Sequence, residues 1–305
     1  MYSVLNLQPD KAGNKGETMS KKTYIREIKT VSTDRYMEVD LFRITERQHK
    51  AKRAGKSRQS SPVQDNLNQR RAARKRLQLM NANFCEGESF HLSLTYSPEM
   101  LPQNDGQAKA DRVNYLRRVA RECRRRGMPP PKVMGVTAGA PGKPRYHHHM
   151  VIACSLPREL LEDMWRKGSA LPDERPEEWR RRAKLWTPGV PCAGEKIGRA
   201  NADRAQPEHE SLAQLCRYFE SQPCRKWFQS RGLKEPVIRR PSDRKFTPNK
   251  LDRACKDGRV YDREFWRKHY TGYELAEDPD VRYDDLNGWM VTLRLYRPWA
   301  DKRRD

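Results

Sequence analysis

Three histidines stand in a row at His147-His148-His149, and the apolar run Met150-Val151-Ile152-Ala153 follows at once. Gly139, Pro141, Gly142 and Pro144 lie just upstream and mark a turn leading into a strand. Residues i and i+2 of a strand share a face. His147 and His149 should therefore project side by side, with His148 on the other face. Two neutral imidazoles so placed can hold one divalent cation.

Other residues invite chemistry in combination with that pair. Phe90-His91-Leu92-Ser93-Leu94-Thr95-Tyr96 alternates cleanly and predicts a second strand, with His91, Ser93 and Thr95 on its polar face. That face could border the site, although ordinary polar packing explains His91 taken alone. Residues 209–222 predict a helix whose buried stripe is Leu212, Leu215, Cys216 and Phe219, ended by Pro223. Tyr218 lies at the edge of that stripe. A cation beside a tyrosine lowers its pKa from about 10 and makes its oxygen a reasonable nucleophile. The same cation would offset the negative charge of a phosphodiester under attack.

The elements that position these groups follow from periodicity. Lys132 to Thr137 predicts a strand antiparallel to the histidine strand, and residues 112–127 predict a helix with an arginine-dense outer face. Pro157 opens a further helix bearing Leu160, Leu161, Met164 and Trp165. Short alternating spans at Tyr24–Ile28 and Tyr36–Leu41 suggest a small strand pair, and Trp289 to Tyr296 suggests a C-terminal strand. Arg47 to Pro62 reads as a basic loop, and Val63 to Met80 as a basic helix. Residues 168–208 read as an irregular charged insertion with one short helix at 177–183. The expected fold is α+β: an antiparallel sheet flanked by helices. The expected division is a flexible tail (1–22), a basic N-terminal extension (23–82), a central domain (83–245) and a C-terminal segment (246–305).

The chain of 305 residues carries 63 Lys and Arg against 40 Asp and Glu, a net charge of +23. Such a field attracts polyanions, nucleic acid first. Arg70, Arg71, Arg217, Arg225, Lys226 and Arg231 are candidate phosphate contacts. Seven scattered cysteines without a C-x-x-C pair point to reduced thiols in a cytoplasm. No segment reaches the roughly 18 to 20 apolar residues of a membrane span, and the N-terminus lacks a signal-peptide apolar core. Phosphate-cradling, dinucleotide-binding and zinc-protease motifs are missing.

The constellation resembles the HUH endonucleases, and among them the rolling-circle replication initiators of plasmids, integrated elements and small single-stranded DNA phages. Asn83-Phe84 with Phe90 to Tyr96 looks like their first motif. His147-His148-His149 looks like their His-hydrophobe-His motif, and Arg217-Tyr218-Phe219-Glu220 like the helix of the nucleophile. Trp227 to Pro236 and Gly272 to Gly288 add to the likeness. The resemblance implies that His147 and His149 hold Mg²⁺ or Mn²⁺. It implies that Tyr218 attacks single-stranded origin DNA, leaving a 5′-phosphotyrosine and a free 3′-hydroxyl. Host helicase and polymerase would be partners. Three positions depart from the family pattern. His148 replaces a hydrophobe. Val136-Thr137-Ala138-Gly139 offers no acidic ligand. Ser221 stands where relatives often carry lysine, leaving Arg225 or Lys226 as substitutes. The alternative is a non-catalytic basic DNA-binding protein that keeps the fold.

Overall fold

The structure is a computed structural model that describes residues 22–46, 49, 62–142, 144–167, 192, 194–285 and 287–298. The expected tail up to residue 21, most of the basic loop before Pro62 and the short helix at 177–183 lie outside the described residues.

Strands β1 (Thr23–Thr33) and β2 (Tyr36–Thr45) precede helix α1 (Pro62–Phe84). Then come β3 (Ser89–Thr95), α2 (Asp105–Arg125), β4 (Lys132–Ala138), β5 (His147–Ala153), α3 (Arg158–Asp163), β6 (Arg166–Lys167), β7 (Glu195–Lys196) and β8 (Ala200–Arg204). Helix α4 (Ala213–Ser221), β9 (Lys226–Gln229), β10 (Val237–Ile238), α5 (Pro248–Lys256), α6 (Arg263–His269), β11 (Glu274–Leu275), β12 (Asp280–Asp284) and β13 (Gly288–Tyr296) complete the chain.

The histidine strand lies at the centre of a five-stranded antiparallel sheet ordered β8-β3-β5-β4-β9. Strands β4 and β5 are buried on both faces along most of their length, whereas β3 alternates buried and half-buried residues. One face packs on α2 and α3 through Tyr115, Val119, Cys123, Leu160, Leu161 and Trp165. The other packs on α1 and α4: Leu77, Met80, Phe84, Leu212, Cys216 and Phe219 meet Met134, Val136 and Val151.

A second sheet runs β10-β1-β2-β13-β11, with β12 also paired to β13. It joins strands from the expected N-terminal extension to strands from the expected C-terminal segment. Ile25, Val39, Leu41, Val291, Leu293 and Leu295 cover Leu251, Ala254 and Trp266 of α5 and α6. The reverse face is polar and meets α1. Arg74 pairs there with Glu38 and Asp40, and Gln78 also reaches Glu38. Helix α1 therefore turns a charged face to one sheet and an apolar face to the other.

Three departures from expectation have a local reason. Helix α2 starts at Asp105, not 112, because Asn104 is its N-cap rather than a turn residue; its side chain accepts from the Gln107 backbone N–H. Helix α4 starts at Ala213, not 209. His209 and Glu210 adopt positive φ (48° and 60°) in a turn closed by the Glu208–Ser211 bridge. Within the expected irregular insertion, Ala200–Arg204 is an ordered edge strand of the histidine sheet.

Candidate active site

Register places the site. Ser93 lies opposite His149 and Thr95 opposite His147 across the β3–β5 ladder. Directly opposed residues share a face, so His91, Ser93, His147 and His149 line one surface, as alternation implied. Helix α4 lies over it. Its stripe Leu212, Cys216 and Phe219 is buried, which leaves Tyr218 at the margin, 42% exposed. Tyr218 and Gln222 are one turn apart, about 6 Å along a helix. His147 and His149 are about 7 Å apart along a strand. The two periods match, and the residues meet pairwise. The Tyr218 hydroxyl is 3.0 Å from His149 Nε2, and Gln222 Oε1 is 3.1 Å from His147 Nε2.

The Arg145 carbonyl lies 2.8 Å from His147 Nδ1 and can only accept, so Nδ1 carries a proton, and in the neutral ring Nε2 is the nitrogen with the lone pair. Gln222 Nε2 donates to the Tyr218 carbonyl at 3.2 Å, which turns Oε1 toward that lone pair. In that tautomer two acceptors face each other at 3.1 Å. The spacing suits neighbouring ligands of an octahedral ion bound at about 2.1 Å. Ser93 Oγ holds His149 Nδ1 at 2.7 Å, leaving Nε2 to face Tyr218. Burial, with His147 and His91 nearby, pushes the His149 imidazole down to about 3, so it is neutral at pH 7 and able to ligate. Among the described residues no three His, Cys, Asp or Glu side chains gather as a ligand set. The donors here are two imidazoles and an amide oxygen, and that set fits a divalent ion.

His148 is a core residue on the reverse face. It is fully buried and sits 2.9 Å from both the Tyr96 hydroxyl and Thr137 Oγ1. Arg112 donates to that threonine at 2.6 Å. Burial, then the positive Arg112, pushes His148 down to about 3. An unfolded imidazole takes its proton near 6.5, the folded one only near 3. Between those values the unfolded chain binds more protons, so the fold loses stability as pH falls. Each of His148 and His149 contributes up to about 1.4 kcal/mol per pH unit in that window. Urea unfolding of the chelator-treated protein at pH 7.5, 6.0 and 5.0 should show the midpoint dropping. The drop should be shallower in His148→Gln. A flat profile would contradict neutral burial.

The candidate phosphate contacts divide. Arg70 and Arg71 are exposed on α1, and Arg231 is exposed beyond β9. Arg217, beside the nucleophile candidate, reaches Glu277 at 3.5 Å. Neither substitute for the family lysine faces the tyrosine. Arg225 pairs with Glu220 at 3.1 Å. Lys226 is opposite Thr137 in the β4–β9 ladder, on the His148 face, and pairs with Asp105. Ser221 donates to the Tyr218 carbonyl.

Sequence reasoning missed Gln222, signalled only by its position one turn after Tyr218. Ser93 lies on the polar face expected to border the site, and it reaches His149. His91 was read as ordinary packing, yet its ring lies 5.7 Å from His149 and 5.8 Å from Tyr218, and its Nε2 is buried without a hydrogen-bond partner.

Compared with protein-family models, curated proteins and solved structures, the chain matches nothing in any of the three. No helix among the described residues is long and apolar enough to cross a membrane.

Proposed function

We propose that this protein is a DNA-nicking and joining enzyme of the HUH endonuclease kind, a rolling-circle replication initiator acting in the cytoplasm of a bacterial host. The observation that carries the reading is the 3.0 Å contact between the Tyr218 hydroxyl and His149 Nε2, on the face shared with His147. The nucleophile candidate thus lies beside the two imidazoles that would hold a charge-neutralising cation. An antiparallel sheet with helices on both faces is compatible with this reading.

Tyr218 Oη would attack the phosphorus of a single-stranded phosphodiester. The P–O3′ bond breaks, the phenolic proton is lost, and the departing 3′ oxygen takes up a proton. The products are a 5′-phosphotyrosine and a 3′-hydroxyl that primes synthesis. The ester keeps the energy of the broken bond, so attack by a 3′-hydroxyl can rejoin the strand. His147 Nε2, His149 Nε2 and Gln222 Oε1 would hold Mg²⁺ or Mn²⁺. When bound, that ion supplies Lewis-acid neutralisation of the charge that builds on the phosphate. Ser93 and the Arg145 carbonyl engage the two Nδ1 atoms and orient both rings with Nε2 toward the helix. The +23 net charge would draw in the DNA, and Arg70, Arg71, Arg217 and Arg231 offer exposed cations for its backbone. Helicase and polymerase of the host would act on the nicked product.

A non-catalytic DNA-binding protein is the second reading. It is favoured by Ser221, and by Arg225 and Lys226 being spent on Glu220 and Asp105. The test is a labelled, random-sequence single-stranded DNA library incubated with the full chain and Mn²⁺, then run on a denaturing gel. A protein–DNA adduct that vanishes with chelator is the expected result. DNA binding in a native gel, with neither adduct nor cleavage, would select the second reading.

A further inference from the structure

The two contacts between α4 and β5 have opposite chemistry toward a cation. At His147, Nε2 lies 3.1 Å from Gln222 Oε1; with the ring proton on Nδ1 both atoms are acceptors, which a cation can bridge. At His149, the Tyr218 hydroxyl is hydrogen-bonded to Nε2 at 3.0 Å, and with Nδ1–H donated to Ser93 the phenol donates into the one lone pair of the neutral ring. Ser93 occupies the other nitrogen at 2.7 Å. His149 Nε2 therefore has one place for a partner and two claimants.

We infer that Tyr218 and a divalent cation compete for the Nε2 lone pair of His149, so that loading the site detaches the tyrosine from the strand. This rests on the nickase reading. In the unloaded protein Tyr218 is clasped to the strand with its proton engaged. Once the nitrogen is taken, the phenol is released at the open margin of the site while its helix stays fixed by buried Phe219 and Cys216. The nucleophile would then be free only where the charge-neutralising ion is already bound. Gln222, on the same helical turn, plays the reverse part and is a partner of the ion.

The opposite signs are testable without DNA or turnover. Mn²⁺ is titrated calorimetrically into the full chain, and into Tyr218→Phe, Gln222→Ala and His147→Ala. Tyr218→Phe removes one oxygen from a part-exposed ring and opens no core cavity. It should bind Mn²⁺ about three- to tenfold tighter, since one hydrogen bond no longer has to be broken. Gln222→Ala should bind more weakly, and His147→Ala far more weakly. Equal or weaker binding by Tyr218→Phe would overturn the competition and leave the cation site standing. Tighter binding by both Tyr218→Phe and Gln222→Ala would overturn it too, since loosening the helix would then suffice. Absence of Mn²⁺ binding by the unmodified chain, or binding unaffected in His147→Ala, would remove the histidine metal site and the metal-assisted nickase reading with it.

Discussion

Tyr218→Phe is expected to abolish the covalent protein–DNA adduct, a loss of at least about a thousandfold, while single-stranded DNA binding stays within about twofold. The chemical loss is total in principle, because the ring that remains has no oxygen to attack phosphorus. The binding is spared because the exposed arginines are untouched and the ring keeps its place beside His149. Among the described residues no other tyrosine near the site is placed to substitute. Tyr96 is 5% exposed and engaged with His148. Tyr115 is fully buried and donates to the Leu161 carbonyl. Tyr146 is 3% exposed and donates to Asp105. An adduct that persists in the variant would show that the nucleophile lies elsewhere in the chain. Cleavage that persists without any adduct would point instead to a metal-dependent hydrolase using water, with Tyr218 only shaping the site. The three outcomes separate on one denaturing gel, since adduct, cleaved product and intact strand run apart.

The parts of the site set by local periodicity were readable from sequence. The period of two put His147 and His149 on one face, and the helical stripe through Leu212, Cys216 and Phe219 left Tyr218 at its edge. What escaped depends on pairing over long distances in the chain. Gln222 meets His147 across a separation of 75 residues, and nothing in its neighbourhood marks it except the turn it shares with Tyr218. Lys226 looked like a site cation, but β9 is four residues long. Its facing is fixed by the ladder to β4, which points it at Asp105. Ala200–Arg204 looked irregular because an edge strand with little buried surface needs few apolar residues, and only Ala202 is buried. The second sheet was hidden for a related reason. Its halves, β2 and β13, each alternate modestly, but their union across the whole chain has no local signature. The polar residues Glu38 and Asp40 on its reverse face meet Arg74 and Gln78 of α1, a pairing that no local pattern announces.

Gly135→Ala should damage both the fold and the site, although the residue carries no side chain and touches no candidate ligand atom. Gly135 sits in β4 opposite Met150 of the histidine strand. A Cβ there would lie 2.2 Å from the His149 carbonyl oxygen and 2.6 Å from Met150 Cα. Those are backbone atoms, so no rotamer change relieves the clash. The two central strands must move apart or one must bend. Overpacking of this kind costs about 3 kcal/mol or more when the obstruction is rigid. Because the displaced oxygen belongs to His149 itself, the shift should also move Nε2 relative to Tyr218 and Gln222. Mn²⁺ affinity and adduct yield should therefore fall together with the urea midpoint. Gly232→Ala is the comparison. Its positive φ of 74° strains an L-residue, but no atom lies within 4 Å of the added carbon. That variant should lose only about 1 to 2 kcal/mol and keep its metal affinity. If Gly135→Ala unfolds at the same urea concentration as the unmodified chain, the close approach of β4 to the histidine strand is not what holds His149 in position. The geometry of the site would then have to be set from the α4 side alone, through Phe219 and the Tyr218 and Gln222 contacts.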